Sequence, residues 1–242
     1  RSLQKYRTNY QMIDYIQILL DKGADPNSMF QSKSSIPGQR IEEKDNVSIL
    51  MYACIYADIR LVAAIATKKN INLRDKNGKN AIFYVLTHPG DNHDVIGRLI
   101  LNGIDVNGIG KIEVKEKIIE NHSPLSLVAS KNMFNSFKIL LENDADPNYK
   151  VTPSGDSILH IAVRKNNVEM VKLLLDTNKI KLSCTNSNNT TALELAEELK
   201  ADENIIKLIK DKIEEGNRQS DIITQELISE DKKKYGMTRV YA

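Results

Sequence analysis

The side chains that could do chemistry are few. The chain has four histidines and two cysteines. His88 and His93 stand beside Asp91 and Asp94, a mix of donors that suits zinc and related ions. The stretch also holds Pro89-Gly90, and neither a cysteine nor a regular helical face aims those donors at one point. His122 precedes a helix-cap position and suggests no chemistry. Cys54 falls in an apolar helical slot, where a thiol behaves as a small hydrophobe, and Cys184 has no base beside it in the sequence. Gly108-Ile109-Gly110-Lys111 faintly resembles a phosphate loop but lacks the third glycine and the strand-to-helix setting. Glu42-Glu43 and Glu197-Glu198 are adjacent pairs, a spacing that does not aim two carboxylates at one atom. Asn46-Val47-Ser48, Asn121-His122-Ser123 and Asn189-Thr190-Thr191 satisfy the glycosylation pattern, yet each ends on a residue whose hydroxyl has a helix-capping use. These residues lead us to expect no catalytic group, no metal and no cofactor.

The elements that hold them belong to a globular chain of 242 residues, room for one large or two small domains. Hydrophobic residues make up 41% and charged residues 27%, with four Phe, nine Tyr and no Trp, so the core is expected to be aliphatic. A net charge of +2 supplies no general field for nucleic acid or an anionic membrane. The longest apolar run, Leu61 to Ala66, is far short of the roughly 20 residues that span a bilayer. Two cysteines allow one disulfide at most, which points to a reducing compartment or to indifference; we expect a cytoplasmic setting. The chain opens on Arg1 with no secretory leader, from which we expect a fragment or processed product.

One segment recurs: a small hydroxyl or amide residue, an apolar pair, then a compact residue three positions on. It reads Ser48-Ile49-Leu50, Asn80-Ala81-Ile82, Ser123-Pro124-Leu125, Ser157-Ile158-Leu159 and Thr191-Ala192-Leu193, with third residues 32, 43, 34 and 34 positions apart. Ser, Thr and Asn at the first position suit a helix N-cap, and Pro124 suits the position after it. Ala53, Val85, Val128, Ala162 and Ala196 are compact enough for close helix approach. A second apolar helical stretch follows each segment: Leu61–Ala66, Val95–Leu101, Phe137–Leu141, Val168–Leu175 and Ile205–Ile209. An unmatched one, Ile13–Leu20, opens the chain. Gly23, Asn70, Gly103, Asp144 and Asn178 are expected to end these second helices in the left-handed conformation.

Ser123-Pro124-Leu125-Ser126-Leu127-Val128, Ser157-Ile158-Leu159-His160-Ile161-Ala162 and Gly23-Ala24-Asp25-Pro26-Asn27 resemble the ankyrin-repeat family. Its Thr-Pro-Leu-His-x-Ala signature and Gly-Ala-Asp-x-Asn ending recur in phase over roughly residues 10–211. Asp75-Lys76-Asn77-Gly78 is similar to the family's hairpin turn. The resemblance implies an all-α solenoid of five to six stacked helix-turn-helix units with β-hairpin-like connections. His160 occupies the signature slot and is expected to bond the Ser157 hydroxyl, whereas Met51 and Phe83 stand in that slot in two other units. Glu194, Glu197 and Glu198 suit a polar terminal cap. We divide the chain into an ankyrin-repeat domain, 1–211, with long connections at 28–47 and 108–122, and a C-terminal helix and tail, 212–242. Ile222, Ile223, Leu227 and Ile228 suggest one short amphipathic helix in that last part. Loops this long are commonly functional, though lengthening a surface loop is also thermodynamically cheap.

In this family partners dock on the concave face, formed by first-helix ends and hairpin tips. By register the candidates are Ile55, Tyr56, Lys131, Arg164 and Lys165 on the helices, and Lys76, Asn77, Lys79 and Asp156 on the hairpins. Lys131, Arg164 and Lys165 suggest a basic groove for an acidic peptide, with Ile55 and Tyr56 as an apolar anchor. We therefore expect a non-enzymatic interaction scaffold or adaptor able to join a larger complex. The alternative is the regulatory or targeting domain of a larger enzyme or channel.

Overall fold

The computed structural model describes Asp14, Ile18 and residues 21–31, 46–113 and 119–235. Strands β1 (Met29–Gln31) and β2 (Asn46–Ser48) pair antiparallel and lead into α1 (Ile49–Ile55) and α2 (Ile59–Ile65). Next come α3 (Ala81–Val85), α4 (His93–Leu101) and the antiparallel pair β3 (Gly110–Glu113) and β4 (Ile119–His122). Then follow α5 (Pro124–Ser130), α6 (Phe134–Glu142), α7 (Ile158–Arg164), α8 (Val168–Asp176), α9 (Ala192–Glu198) and α10 (Glu203–Tyr235). The described residues thus contain five helix pairs. Of the opening stretch Ile13–Leu20, only Asp14 and Ile18 are among them, both helical.

Each first helix begins on the side chain that the sequence offers. Ser48 Oγ accepts from Met51 N–H at 3.1 Å, Asn80 Oδ1 from Ile82 N–H at 3.2 Å, and Ser123 Oγ from Ser126 N–H at 3.2 Å. Ser157 and Thr191 complete capping boxes with His160 and Glu194. The compact residues Ala53, Val85, Val128, Ala162 and Ala196 are all buried. The helices stack in two rows. In the inner row α1 packs on α3, α5 on α7 and α7 on α9; in the outer row α2, α4, α6, α8 and α10 pack in succession. No single pair could cover its apolar face, so the core runs through all five.

Aspartate and asparagine join the units. Asn72 Nδ2 donates to Gly103 O at 3.0 Å while its Oδ1 accepts from Asp105 N–H at 2.6 Å. Asn107 does the same to Asp144 O and Asp146 N–H, and Asn148 to Lys179 O and Lys181 N–H. Within each ending, Asp25, Asp105 or Asp146 accepts from the N–H two residues on, which turns the chain toward the next unit.

Two expectations need correction. Gly23, Gly103, Asp144 and Asn178 do adopt positive φ, but Asn70 does not. The second helix of its unit stops at Ile65, and the buried Asn70 amide donates instead to Ile65 O and Pro26 O. The short helix expected around Ile222–Ile228 is no separate element: α10 is one helix of 33 residues that begins as the second helix of the last unit. The long connections are antiparallel hairpins where described; residues 32–45, with Pro37-Gly38 and Glu42–Asp45, and residues 236–242 lie outside the described residues.

Candidate interaction face

The candidate face is built from the C-terminal ends of the inner helices and the hairpins beside them. At its first unit, Ile55 is buried in the core, so it is not the exposed apolar anchor expected. Tyr52 and Tyr56, one helical turn apart, are half-buried in its stead, their rings edge to face with centroids 5.6 Å apart. Tyr56 donates its hydroxyl proton to Tyr52 at 3.2 Å; burial, then that bond, pushes the Tyr56 phenol up to about 12.

The hairpin before α3 turns around Asp75, which accepts from the N–H groups of Asn77 and Lys79 and from the Tyr84 hydroxyl. Strand β3 then lies over it. Lys111 N–H donates to Asn77 O at 2.8 Å, and Gly110 packs so closely on Lys79 and Phe83 that a Cβ would stand 2.9 Å from both. Gly108 lies equally close beneath the Arg74 guanidinium. The glycines of Gly108-Ile109-Gly110-Lys111 therefore serve close chain packing. Asn77 and Lys79 are partly covered, and Lys76 is exposed.

The expected basic groove is largely engaged within the protein. Lys131 Nζ donates to Leu86 O at 2.7 Å, and burial holds its pKa below the usual lysine range. Asp156 is buried and is clasped by Arg164 Nε at 2.9 Å and Asn186 Nδ2 at 3.0 Å, a clamp joining two units. Lys150 Nζ reaches Thr185 O at 2.7 Å. Lys165 is exposed, and Arg164 keeps 42% of its side chain in solvent.

The histidines resolve into structural roles. His160 is fully buried, with Nδ1 2.7 Å from Ser157 Oγ and Nε2 2.9 Å from Thr190 O. His88 and His93 bond the nearby carbonyls of Pro89 and Asp91, while the Asp91 carboxylate turns away to cap α6. It accepts from Asn135 N–H, Ser136 N–H and the Ser136 hydroxyl, supplying the cap that Met133 lacks. His122 has a role that sequence reading missed. It is buried between Ser126 Oγ at 3.0 Å and Glu120 Oε2 at 2.8 Å, tying β4 to α5. A Ser–His–Glu line resembles a nucleophile relay, but Ser126 is wholly buried and its hydroxyl donates to Ser123 O, so no substrate reaches it. Burial raises the Cys54 thiol far above its usual range. No group of three metal-ligating side chains stands together among the described residues.

Residues 125–220 match the sequence model of the family described as ankyrin repeats, in three copies. Residues 125–220 are thus ankyrin repeats, and together with the relatives they support an ankyrin-repeat family for the chain. It is 27% identical over 166 residues to alpha-latrocrustotoxin-Lt1a of Latrodectus tredecimguttatus, a match covering 63% of this chain and 11% of that protein. It is 31% identical over 114 residues to a putative ankyrin repeat protein of fowlpox virus, with 47% and 31% covered. Human transient receptor potential cation channel subfamily A member 1 is 33% identical over 100 residues, with 36% and 9% covered. The chain therefore spans between about a tenth and a third of the length of these relatives.

Ankyrin arrays are a non-catalytic interaction fold, and this one offers two surfaces of different chemistry. The inner ankyrin face presents Tyr52, Tyr56, Lys76, Lys165 and the outer edge of Arg164. The outer row carries a groove of about 450 Å³ among α2, α4 and α6, lined by Ile59, Arg98, Leu101 and Ile139, with Leu101 81% exposed. Gly97 permits it, since a Cβ there would stand 2.9 Å from Ile139 Cδ1.

Proposed function

We propose that this chain is a non-enzymatic, cytoplasmic interaction module that holds a protein partner on its inner face. The observation that carries this reading is how the polar groups along and beneath the inner face are used. Asp156, Arg164, Lys131, Lys150, His122 and His160 all bond within the protein, several from one unit to the next. Such a surface is fixed before a partner arrives, which limits the entropy lost on docking. The partner is a polar or acidic peptide segment, met by Lys165, Lys76 and the exposed edge of Arg164, with Tyr56 supplying apolar contact.

The test is affinity capture of partners by the intact chain, followed by measured binding of the captured protein to variants. Tyr56→Ala with Lys165→Glu changes the inner face and leaves the Arg164–Asp156 clamp in place; Leu101→Glu changes the outer groove. Loss of binding in the first and retention in the second support the proposal. The reverse moves docking to the outer row, and binding unaffected by either removes both faces.

A second reading has its own support. The relatives include proteins of which this chain matches about a tenth, one of them a cation channel subunit. On that reading the array is the regulatory or targeting part of a larger protein, and the intact mass of the parent chain separates the two.

A further inference from the structure

We infer that the groove of the outer row is a second docking site, separate from the inner face, and that it receives an acidic amphipathic helix of another protein. The groove of about 450 Å³ runs among α2, α4 and α6. Its apolar walls stand in solvent: Leu101, the last residue of α4, is 81% exposed, and Ile59 is 40% exposed. Gly97, in the middle of α4, keeps the floor low, since a Cβ there would strike Ile139. Pockets for small ligands enclose most of what they bind, and a groove this open would leave such a ligand largely in water. A partner with a broad surface of its own covers it.

Arg98 identifies the chemistry of that partner. Of the residues lining the groove only Asp94 and Arg98 are charged. Arg98 Nε is the one buried side-chain nitrogen or oxygen among the described residues with no hydrogen-bond partner. Other buried polar side chains are bonded within the protein, as at Asp156, His122 and His160. Asp94 stands one turn before Arg98 on α4, but its Oδ1 accepts from Val95 N–H, and among the described residues Arg98 enters no ion pair. Asn143 Nδ2 donates to Ile139 O. A buried donor without an acceptor is costly, and a carboxylate is the acceptor that matches a guanidinium. Arg98 as a whole is half-buried, so a carboxylate laid over the groove can meet it. Arg98 and Leu101 lie three residues apart, about one turn of α4. A helix alongside α4 meets them with a carboxylate and an aliphatic side chain three or four positions apart. The outer row bonds its backbone groups within its own helices, so it offers an extended peptide no ladder to join. With one arginine and one aspartate, the groove also lacks the basic cluster that an anionic lipid surface calls for.

A displayed library of randomised amphipathic helices tests this, panned against the full chain carrying Tyr56→Ala and Lys165→Glu so that the inner face is already altered. We expect enriched helices with aspartate or glutamate three or four positions from leucine or isoleucine. In the same background Leu101→Glu and Arg98→Gln should each weaken their binding at least about tenfold, as should replacing the helix carboxylate by its amide. Leu101 lies outside the buried core, so the thermal melt of Leu101→Glu stays unchanged and its loss of binding reports the groove rather than the fold. Panning against Arg98→Glu should enrich lysine in place of the acid. Enrichment of no helix that depends on both Leu101 and Arg98 overturns the inference, and so do dependent helices that bind equally well with the carboxylate replaced by its amide. Self-association lost in Leu101→Glu, read by sedimentation equilibrium, overturns it in favour of a second copy of this chain. Co-sedimentation with phosphatidylserine vesicles, lost in the same variant, overturns it in favour of a lipid surface.

Discussion

At the scale of single residues, His160 carries a pH dependence. Burial disfavours the charged imidazole, so its folded pKa lies below the ordinary value. The unfolded chain titrates near 6.5 and takes up the proton first as the pH falls. The histidine's contribution is complete above about 6.5 and is lost progressively below that, toward the folded value. His160→Gln keeps a hydrogen-bonding partner for Ser157 but does not titrate. In urea denaturation we expect the advantage of the wild type over H160Q to be greatest at pH 7–8 and smaller at pH 5; parallel profiles would exclude His160 as the source. Gly110→Ala tests close packing. Its Cβ would meet the buried Phe83 ring, and we expect a loss of about 1–3 kcal/mol, read as a lower denaturation midpoint. The cap residues Ser48, Asn80, Ser123, Ser157 and Thr191 were legible because capping is a local requirement, met within three residues. Asp156 was placed on the surface because its partner Asn186 is 30 residues away in sequence, and Ile55 because register alone does not say which side of a helix end meets the core.

At the scale of elements, the joints between units decide how well one helix pair holds the next. Asn107→Ala removes one donor and one acceptor from a solvent-exposed joint, and we expect a loss of about 1–2 kcal/mol with no change in helix content by circular dichroism. An equal loss from Asn188→Ala, a hairpin-tip residue outside the joints, would show that these inter-unit bonds carry no special weight. The recurrence of Asp-x-Asn was visible in the sequence as a family ending, yet its partners were not, since each lies one unit onward. The continuity of α10 was hidden for a different reason. Its weak helix formers break the apolar period after Asp211, and only the geometry shows the helix running on. The hairpin over α3 was legible as extra length but not as a cover, because Gly108 and Gly110 look like loop residues until Arg74 and Phe83 are seen against them.

At the scale of the whole molecule, stability is a sum over neighbours, and the weakest boundary governs cooperativity. Helix packing in the inner row is strong at α1–α3 and from α5 through α9. Between α3 and α5 the inner row packs less closely, and the boundary is held by Lys131 bonded to Leu86, by Asp91 capping α6, by the Asn107 joint and by the packing of α4 on α6. Asp91→Ala leaves buried Ser136 without that acceptor and loosens the boundary; we expect a loss of about 1–3 kcal/mol. The single unfolding transition should also split in two, with hydrogen exchange faster in residues 46–113 than in residues 123–209. Retention of one sharp transition would mean that the outer row alone couples the halves. The same joints give the array a mechanical character. Stretched from its two ends in an optical trap, the solenoid should yield in discrete steps. Each step would release roughly 110 Å of slack, the extended length of one repeat, and the sturdiest step should mark the joint where Asn186 reaches back to the buried Asp156.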